Sequence, residues 1–199
     1  MSYPRSFEEL KENFEKLPGI GEKSAERFVF SILKMDDDEI EEFSENLSKI
    51  KKKIKHCNIC GHLTEGDICT ICSDNSRDQS TICVVEDVRN VFILEKTGSY
   101  HGLYHVLGGL ISPVNDINPE DLNISGLMER LKEPLDEIII ALNPSIEGET
   151  TSLYLQKILK DKKIHISRLS YGIPLGSDLE YVDPMMIEKA IGDRKFIEK

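Results

Sequence analysis

The sequence predicts an α+β chain of several modules: a helical N-terminal part, a short cysteine-rich segment, an α/β domain with a mostly parallel sheet, and a helical C-terminal tail. Three observations lead to this fold class. Apolar residues recur at helical spacing up to about residue 56, and four cysteines follow directly. From about residue 80 onward, short β-branched runs alternate with helical patterns, which is typical of a parallel sheet.

The composition limits the class of protein. The chain has 199 residues, 39% of them hydrophobic, and a formal net charge of −11. No apolar run is long enough to span a bilayer, so we expect no membrane role. The first residues, Met1 to Arg5, lead into a charged segment without the apolar core of a signal peptide. We therefore expect a cytoplasmic protein with reduced thiols, in which any DNA contact is confined to a local basic patch.

The N-terminal module, residues 1–56, is predicted to contain three helices. The first runs from about Ser6 to Lys16 and begins with a capping-box sequence. The second runs from Glu22 to Leu33, and the third from about Asp38 to His56. On the third helix, the residues expected to point inward are Ile40, Phe43, Leu47, Ile50 and Ile54.

A turn with two glycines, Leu17-Pro18-Gly19-Ile20-Gly21, connects the first two helices. Small glycines at a helix N-terminus let backbone N–H groups approach a phosphate, and the helix dipole favours an anion there. The arrangement resembles the helix-hairpin-helix motif of DNA-binding proteins, which holds the DNA backbone without reading bases. We therefore expect Gly19 and Gly21 to contact DNA.

Two basic features lie beside this turn. Lys23 and Arg27 are four residues apart at the start of the second helix, so they project from one face. They can bind phosphate, or they can belong to an ordinary solvated face with Lys23 offset by Glu26. The lysines at positions 49–55 complement the dipole of the third helix, and they can also contact the DNA backbone. For these lysines, the dipole interpretation and the DNA interpretation do not exclude each other.

Four cysteines form two C-x2-C pairs, Cys57 with Cys60 and Cys69 with Cys72, separated by residues 61–68. This spacing lets two tight turns direct four thiolates at one tetrahedral point, as a closed structural Zn²⁺ site requires. Two disulfides, a redox pair and iron in the same sulfur cage are the alternatives. The absence of any secretion signal and the single short loop favour one structural zinc per chain.

Two histidines, His56 and His62, flank these pairs. With four thiols already present, we expect both to be bystanders. A site this small folds only with its metal. We therefore expect the zinc segment, residues 57–72, to act as a rigid joint between the modules on its two sides.

The α/β module is expected to span residues 80–170. Its predicted strands are Thr81–Val85, Tyr104–Leu107, Glu137–Leu142 and Ile164–Leu169. Its predicted helices are Val88–Thr97, Asp121–Lys132 and Thr150–Lys160. Cys83 is expected to be a small core residue. No role is assigned to His101, His105 and His165.

Acidic residues follow two of these strands, at Glu86-Asp87 and in the segment from Asn143 to Glu149. Oxygen ligands from two adjacent loops suggest a Mg²⁺ site. The segment resembles the Toprim domain of topoisomerases, bacterial primases and some nucleases, which has a Glu after the first strand and an Asp-x-Asp pair after a later one. Glu86 fits the first position, but Asn143-Pro144-Ser145 has lost both carboxylates. Even with partial coordination by Glu147 or Glu149, we expect no cleavage.

Over essentially its full length the chain resembles the bacterial RecR family of recombination mediators. The matching stretches are Leu17–Gly21, the four cysteines, Ile82–Glu86, Tyr104–Gly109, Ser112-Pro113, Asn143–Glu149, Gly172–Gly176 and Leu179–Asp183. The departures are Tyr171, where a basic residue is common, Asn90, where an Asp is usual, and Ser145, where a Thr is usual.

The resemblance implies a non-enzymatic mediator of DNA recombination and repair. Members of the family form ring-shaped tetramers that encircle or clamp DNA. They work with RecO and RecF to load RecA onto gapped single-stranded DNA. They have no ATPase, and this sequence has no G-x-x-x-x-G-K-[ST] phosphate loop. The expected partners are therefore single- and double-stranded DNA, RecO, RecF and further copies of the chain, in the cytoplasm and at the nucleoid during repair.

The resemblance also implies roles for individual residues. Gly19, Gly21, Lys23 and Arg27 would face the DNA. The Toprim surface around Glu86, Asn143 and Glu147 would face a protein partner, since acidic patches suit basic partners. The surfaces for DNA and for protein would then lie on different modules of the chain.

The C-terminal tail, residues 171–199, contains a Gly-x-Pro-x-Gly sequence before a last helix. It is either a simple turn or, as the family suggests, a Walker B-like segment with subunit contacts. Two other functions remain open for the whole chain. One is a Mg²⁺-dependent Toprim nuclease or related phosphoryl-transfer enzyme, and the other is a zinc-stabilised scaffold that never touches DNA.

Overall fold

The structure is a computed structural model that describes residues 3–131, 134–170, 172–173 and 176–194. The chain divides into two compact units, residues 1–54 and 55–199. The family departure at Tyr171 and the central Pro174 and Leu175 of the Gly-x-Pro-x-Gly sequence lie outside the described residues. The mixture of helices with a parallel sheet confirms the predicted fold class.

The first unit contains the three predicted helices, α1 (Arg5–Glu15), α2 (Glu22–Ile32) and α3 (Asp37–Lys53). Helices α1 and α2 pack through the buried side chains of Phe7, Ala25 and Val29. Aromatic rings extend this contact, with ring centroids of Phe7 and Phe30 5.0 Å apart in an edge-to-face arrangement. The two helices that flank the glycine turn are therefore fixed relative to each other.

The predicted inward face of α3 is wrong for the single chain. Phe43, Leu47 and Ile50 are 47%, 68% and 56% exposed, and Ile40 and Ile54 are only half-buried. Within the described part of the chain, α3 buries none of its residues. Helical periodicity identifies an apolar stripe, but such a stripe becomes core only when another element covers it.

The predicted end of α3 at His56 is also wrong. The helix ends at Lys53, and Lys55–His56 form strand β1, which pairs antiparallel with β2 (Leu63–Thr64). The amide of Cys57 donates to the carbonyl of His62 at 2.7 Å, which continues this pairing. The chain leaves the helix early because the two short strands close the first C-x2-C turn.

The second unit is built on a four-stranded, fully parallel sheet in the order β4-β3-β5-β6. Its strands are β3 (Asp78–Val85), β4 (Gly102–Val106), β5 (Glu137–Ala141) and β6 (His165–Arg168). Its helices are α4 (Thr70–Ser73), α5 (Val88–Thr97), α6 (Ile124–Arg130), α7 (Ile146–Leu159) and α8 (Pro184–Gly192). Helices cover both faces, as expected for a parallel sheet.

Side chains of strand β3 alternate between two apolar layers. Ile82 and Val84 belong to one cluster, which includes Leu127 of α6 and Leu155 of α7. Cys83 and Val85 belong to the other, which includes Val91 of α5. Cys83 is buried as predicted, and burial raises the pKa of its thiol to about 12.

Two helix starts in this unit differ from the prediction because of polar side chains. Helix α6 begins at Ile124, because Asn123 is held at the end of β4. The Asn123 backbone amide donates to the Leu107 carbonyl at 2.9 Å, and its side-chain amide donates to the Val106 carbonyl at 3.2 Å. Helix α7 begins at Ile146, because Ser145 Oγ accepts from the Gly148 amide at 3.1 Å and caps the helix.

An ion-pair cluster ties the segment before the sheet to α5 and β4. The Arg77 guanidinium donates to both carboxylate oxygens of Glu95, at 3.0 and 2.7 Å, and to the Gly102 carbonyl at 2.9 Å. The Tyr104 hydroxyl also donates to Glu95, at 2.8 Å. These hydrogen bonds, first those from Arg77, hold the pKa of Glu95 below its usual 4.5.

This cluster generates a pH-dependent stability prediction. We expect Glu95→Gln to lower the free energy of unfolding by about 2 kcal/mol at neutral pH, because it removes the charged acceptor of these bonds. Since the folded pKa lies below 4.5, the contribution is complete above that value and is lost as pH falls through the folded pKa. Urea unfolding from pH 7 to pH 3 covers this window.

The exposed variant Glu120→Gln provides the control at each pH. Its unfolding free energy should follow that of the unmodified protein throughout. The difference in unfolding free energy between Glu95→Gln and the control should shrink toward acid pH. A difference that grows instead would contradict the assignment of this pH dependence to the Arg77–Glu95 cluster.

Candidate functional site

The four cysteines meet at one point. The sulfur atoms of Cys57, Cys60, Cys69 and Cys72 all lie within 4.8 Å of one another, and the first three residues are buried. They come from two elements: the turn between β1 and β2, and the start of α4, where Cys69 is the N-cap. Among the described residues, this is the only group of three or more His, Cys, Asp or Glu side chains that could hold a metal. The donor set fits a closed tetrahedral zinc site.

Backbone N–H groups point at these sulfurs. The Cys69 amide lies 3.3 Å from Cys57 Sγ, and the His62 amide lies 3.4 Å from Cys60 Sγ. Burial opposes ionisation of Cys57, but backbone amides, led by that of Cys69, lower the pKa of its thiol to about 7. Burial raises the pKa of Cys69 to about 11, and a hydrogen bond with Cys72 followed by burial raises that of Cys60. Zn²⁺ would hold all four as thiolates.

The first cysteine pair is docked on the edge of the sheet. The Val106 amide of β4 donates to the Cys60 carbonyl at 2.8 Å. Gly61 follows with φ +77°, and a Cβ there would lie 3.1 Å from the Val106 carbonyl oxygen and 3.2 Å from the Asn123 amide nitrogen. Both the backbone conformation and the close approach therefore require glycine. The glycine directly after a C-x2-C pair was a sequence indication that our prediction did not use.

Neither flanking histidine belongs to the sulfur group. His56 is exposed, and its Nδ1 lies 2.9 Å from the Gly61 carbonyl oxygen. His62 is buried with its ring centroid 4.9 Å from that of Phe92, and burial lowers its pKa. Both residues thus have surroundings of their own, in agreement with the expectation that they are bystanders.

The glycine turn joins α1 to α2 as predicted. Gly19 has φ +83°, and Gly21 is the N-cap of α2, with its carbonyl accepting from the Ser24 and Ala25 amides at 3.0 Å. A Cβ at either glycine would meet no atom within 4 Å. The surface over this turn is therefore open, and the first N–H groups of α2 face it.

Lys23 and Arg27 are both exposed on α2 beside this turn. The predicted offset of Lys23 by Glu26 is not formed: Glu26 instead accepts from the Tyr3 hydroxyl at 2.6 Å. Among the described residues, neither Lys23 nor Arg27 forms an ion pair, whereas Lys11 of α1 contacts Glu8 and Glu22. Two cations without carboxylate partners thus flank the open helix N-terminus.

The lysines at the end of α3 and at the start of β1 are exposed, and two of them are paired. Lys49 pairs with Glu45 on the same helix, and Lys55 lies 3.2 Å from Asp67. Lys51, Lys52 and Lys53 occupy the last turn of α3, where they complement the helix dipole.

Glu86 and Asn143 are brought together at the carboxyl ends of β3 and β5, as their places on adjacent parallel strands predict. The Asn143 amide nitrogen donates to Glu86 Oε2 at 2.6 Å. A hydrogen-bond donor thus occupies the position from which a second carboxylate would hold a cation. The local chemistry agrees with the expectation that this end of the sheet cleaves nothing.

The two remaining acids lie on the first turn of α7. Glu147 is half-buried, and Glu149 is bonded to Lys189 of α8 and lies 3.7 Å from Arg168 of β6. Glu149 therefore anchors the C-terminal helix. The turn itself is tight: a Cβ at Gly148 would lie 2.0 Å from the Asn143 carbonyl oxygen, so only glycine fits.

The chain matches three protein-family models. They are the RecR helix-hairpin-helix over residues 7–51, the RecR four-cysteine zinc finger domain over residues 54–74, and the Toprim domain over residues 80–170. It is also 47% identical over 195 residues to the proteins named Recombination protein RecR of Staphylococcus aureus strains JH9 and Newman, with 98% of each chain covered. The chain belongs to the RecR family.

Membership of the RecR family confirms the resemblance inferred from the sequence. The chain is a recombination protein with a helix-hairpin-helix DNA-binding domain, a four-cysteine zinc finger and a Toprim domain. It also confirms that the chain is not an enzyme, so the nuclease alternative is wrong. Among the described helices, none is long and apolar enough to cross a membrane.

The metal centre of this RecR family member generates a second prediction. We expect Cys60→Ser to lose bound zinc and several kcal/mol of stability, because structural zinc sites contribute on the order of 10 kcal/mol to folding. Elemental analysis and thermal unfolding measure the two effects. DNA contact by the separate N-terminal unit should be the last property to change.

The fifth cysteine provides the matched control. Cys83→Ala removes a thiol from the core strand β3, away from the sulfur group, and should keep its zinc. Full zinc content in Cys60→Ser, or equal loss in both variants, would contradict the assignment of the four ligands.

Proposed function

We propose that this RecR family member is a DNA-binding recombination mediator that acts as a ring-shaped clamp. It would work with RecO and RecF to promote RecA loading on gapped single-stranded DNA at the nucleoid. The observation that carries the proposal is the open glycine turn flanked by Lys23 and Arg27, two cations that form no ion pair within the described part of the chain. A net charge of −11 on the whole chain makes this local basic surface the natural place for a phosphate backbone.

The proposed DNA contacts use the backbone as well as the side chains. Gly19 and Gly21 leave the turn without side chains, so a phosphate can approach the first amides of α2. Lys23 and Arg27, one turn apart, then add two charges on the same face. Such contacts fix position on single or double strands without reading sequence.

We infer one structural zinc per chain, held by the four cysteines. Four sulfur ligands leave no open position for a substrate or water, so the ion stabilises the fold and does not act in catalysis. The functional segments would then be residues 1–56 for DNA, 57–72 for zinc, 80–170 for the Toprim domain and 171–199 for the tail. The zinc segment would serve as the joint between the first and third of these.

The Toprim end of the sheet is proposed as the surface for a protein partner. Glu86 and Glu147 lie near the carboxyl edge, with Asn143 bonded to Glu86. Among the described residues these acids do not belong to any group of three or more metal ligands, so they would be available to a basic partner surface. RecO and RecF are the partners that the family suggests.

Exposed apolar residues support assembly of several copies. On α3 they are Phe43, Leu47 and Ile50. In the tail they include Leu179, Tyr181 and Met185, which are 61%, 82% and 57% exposed. Apolar surface of this kind is typical of interfaces, and two separate patches per chain are what a closed ring needs.

The DNA proposal predicts the effect of removing both cations. We expect Lys23→Ala with Arg27→Ala to weaken binding to gapped and duplex oligonucleotides about tenfold or more at moderate salt. The slope of log affinity against log salt should become shallower by roughly 0.7 to 0.9 for each lost phosphate contact. Fluorescence anisotropy across a potassium chloride series measures both quantities.

The pair Lys162→Ala with Lys163→Ala provides the control, because it makes the same charge change on an exposed turn of the second unit. It should leave both affinity and slope nearly unchanged. Equal behaviour of the two double variants would favour a scaffold that does not touch DNA.

The ring proposal predicts a mass well above that of one chain. Light scattering should give about four chain masses, and Leu47→Glu should reduce it by placing a charge in the apolar stripe of α3. Val114→Glu, at a residue that is 94% exposed, is the control and should not change the mass. A strict monomer with and without DNA would defeat the clamp mechanism.

A further inference from the structure

Arg130, the last residue of α6, has an unusual environment for a cation. Its side chain is partly buried, and its Nη1 donates to the Tyr104 carbonyl of β4 at 2.5 Å. Strand β4 is an edge of the sheet, so this bond and the bond from Val106 to Cys60 satisfy neighbouring groups on its outer side. Arg130 and the first cysteine pair therefore cover the same strand edge.

No carboxylate accounts for this charge. Among the described residues, Arg130 forms no ion pair. Arg77, which also bonds to β4, is in contrast held by both carboxylate oxygens of Glu95. Buried charges are costly unless an opposite charge offsets the loss of water. Burial correspondingly lowers the pKa of Arg130. An opposite charge is therefore expected close to Arg130.

The cysteine cluster shares a cavity with Arg130 and can supply this opposite charge. Arg130 and Cys72 line the same cavity, of about 490 Å³, together with Ile59 from between the first two cysteines. Negative charge on Cys72, Cys60 and Cys57 opposes this lowering of the Arg130 pKa. Four thiolates bound to Zn²⁺ carry two negative charges in excess, which a single guanidinium offsets in part.

We propose that Arg130 is the counter-cation of the zinc–thiolate centre and links that centre to the edge of the Toprim sheet. The Tyr104 carbonyl holds the guanidinium in place, and the guanidinium charge stabilises the sulfurs as thiolates against protonation. This slows loss of the metal and lowers the reactivity of the thiolates. The inference rests on the zinc assignment and is independent of DNA binding.

The charge of Arg130 and its hydrogen bond to the Tyr104 carbonyl can be separated by substitution. Glutamine can still donate to the Tyr104 carbonyl but carries no charge, and lysine keeps the charge but loses the planar fork. Arg130→Gln therefore tests the charge, and Arg130→Lys tests for rescue. Arg89→Gln is the matched control, because Arg89 is 83% exposed and pairs with Asp87 at 2.7 Å.

The experiment uses the full chain loaded with Zn²⁺ or Co²⁺. We expect Arg130→Gln to transfer zinc to a chromogenic chelator about 10-fold faster or more, since loss of an outer partner of metal ligands weakens metal affinity by about 10- to 100-fold. In the Co²⁺ form its thiolate-to-metal charge-transfer band should move to lower energy. Arg130→Lys should recover most of both properties, and Arg89→Gln should match the unmodified protein.

Unchanged release and an unchanged band in folded Arg130→Gln would overturn the proposal. If that variant does not fold, Arg130→Lys decides: a folded protein with the original band energy supports the charge, and loss of fold or metal in the lysine variant overturns it. Failure of the unmodified chain to bind either metal overturns the zinc assignment itself. None of these readouts depends on DNA, so failure of the clamp proposal would be seen separately.

Discussion

Four sulfur atoms within 4.8 Å of one another are the constraint on which the second unit depends. Four thiolates would repel at this distance, so they would stay together only around a cation such as Zn²⁺, with hydrogen-bond donors around them. Both short elements that carry the cysteines are otherwise too small to hold a fold. The antiparallel pair β1–β2 and the hydrogen bond from Val106 to Cys60 hold the backbone that carries the first two of these side chains.

The two ends of this unit have opposite metal chemistry. At the cysteine cluster the donors are complete and closed, whereas at the carboxyl ends of β3 and β5 an amide of Asn143 faces Glu86. A parallel sheet normally presents its functional groups at the carboxyl ends of its strands. Here the carboxyl ends of β3 and β5 keep this arrangement without the ligands for phosphoryl transfer. Such a surface suits binding to a partner and not catalysis.

Local patterns predicted what depends on local chemistry. The cysteine spacing identified the metal group, and the parallel-strand rule placed Glu86 beside Asn143. The patterns failed where distant residues decide. The end of α3 depends on strand pairing with Leu63–Thr64, and the exposure of its apolar stripe depends on what covers it. Arg130 was missed because its surroundings join residues far apart in the chain.

The covered edge of β4 bears on how the protein fails as well as on how it folds. An uncovered strand presents a row of unpaired backbone groups that can join another sheet. Here the cysteine pair and Arg130 occupy that edge, with Cys60 accepting from Val106 and Arg130 donating to Tyr104. Loss of the metal would unfold the small cysteine segment that covers this edge, and the exposed backbone groups of β4 would then be free to pair with another sheet.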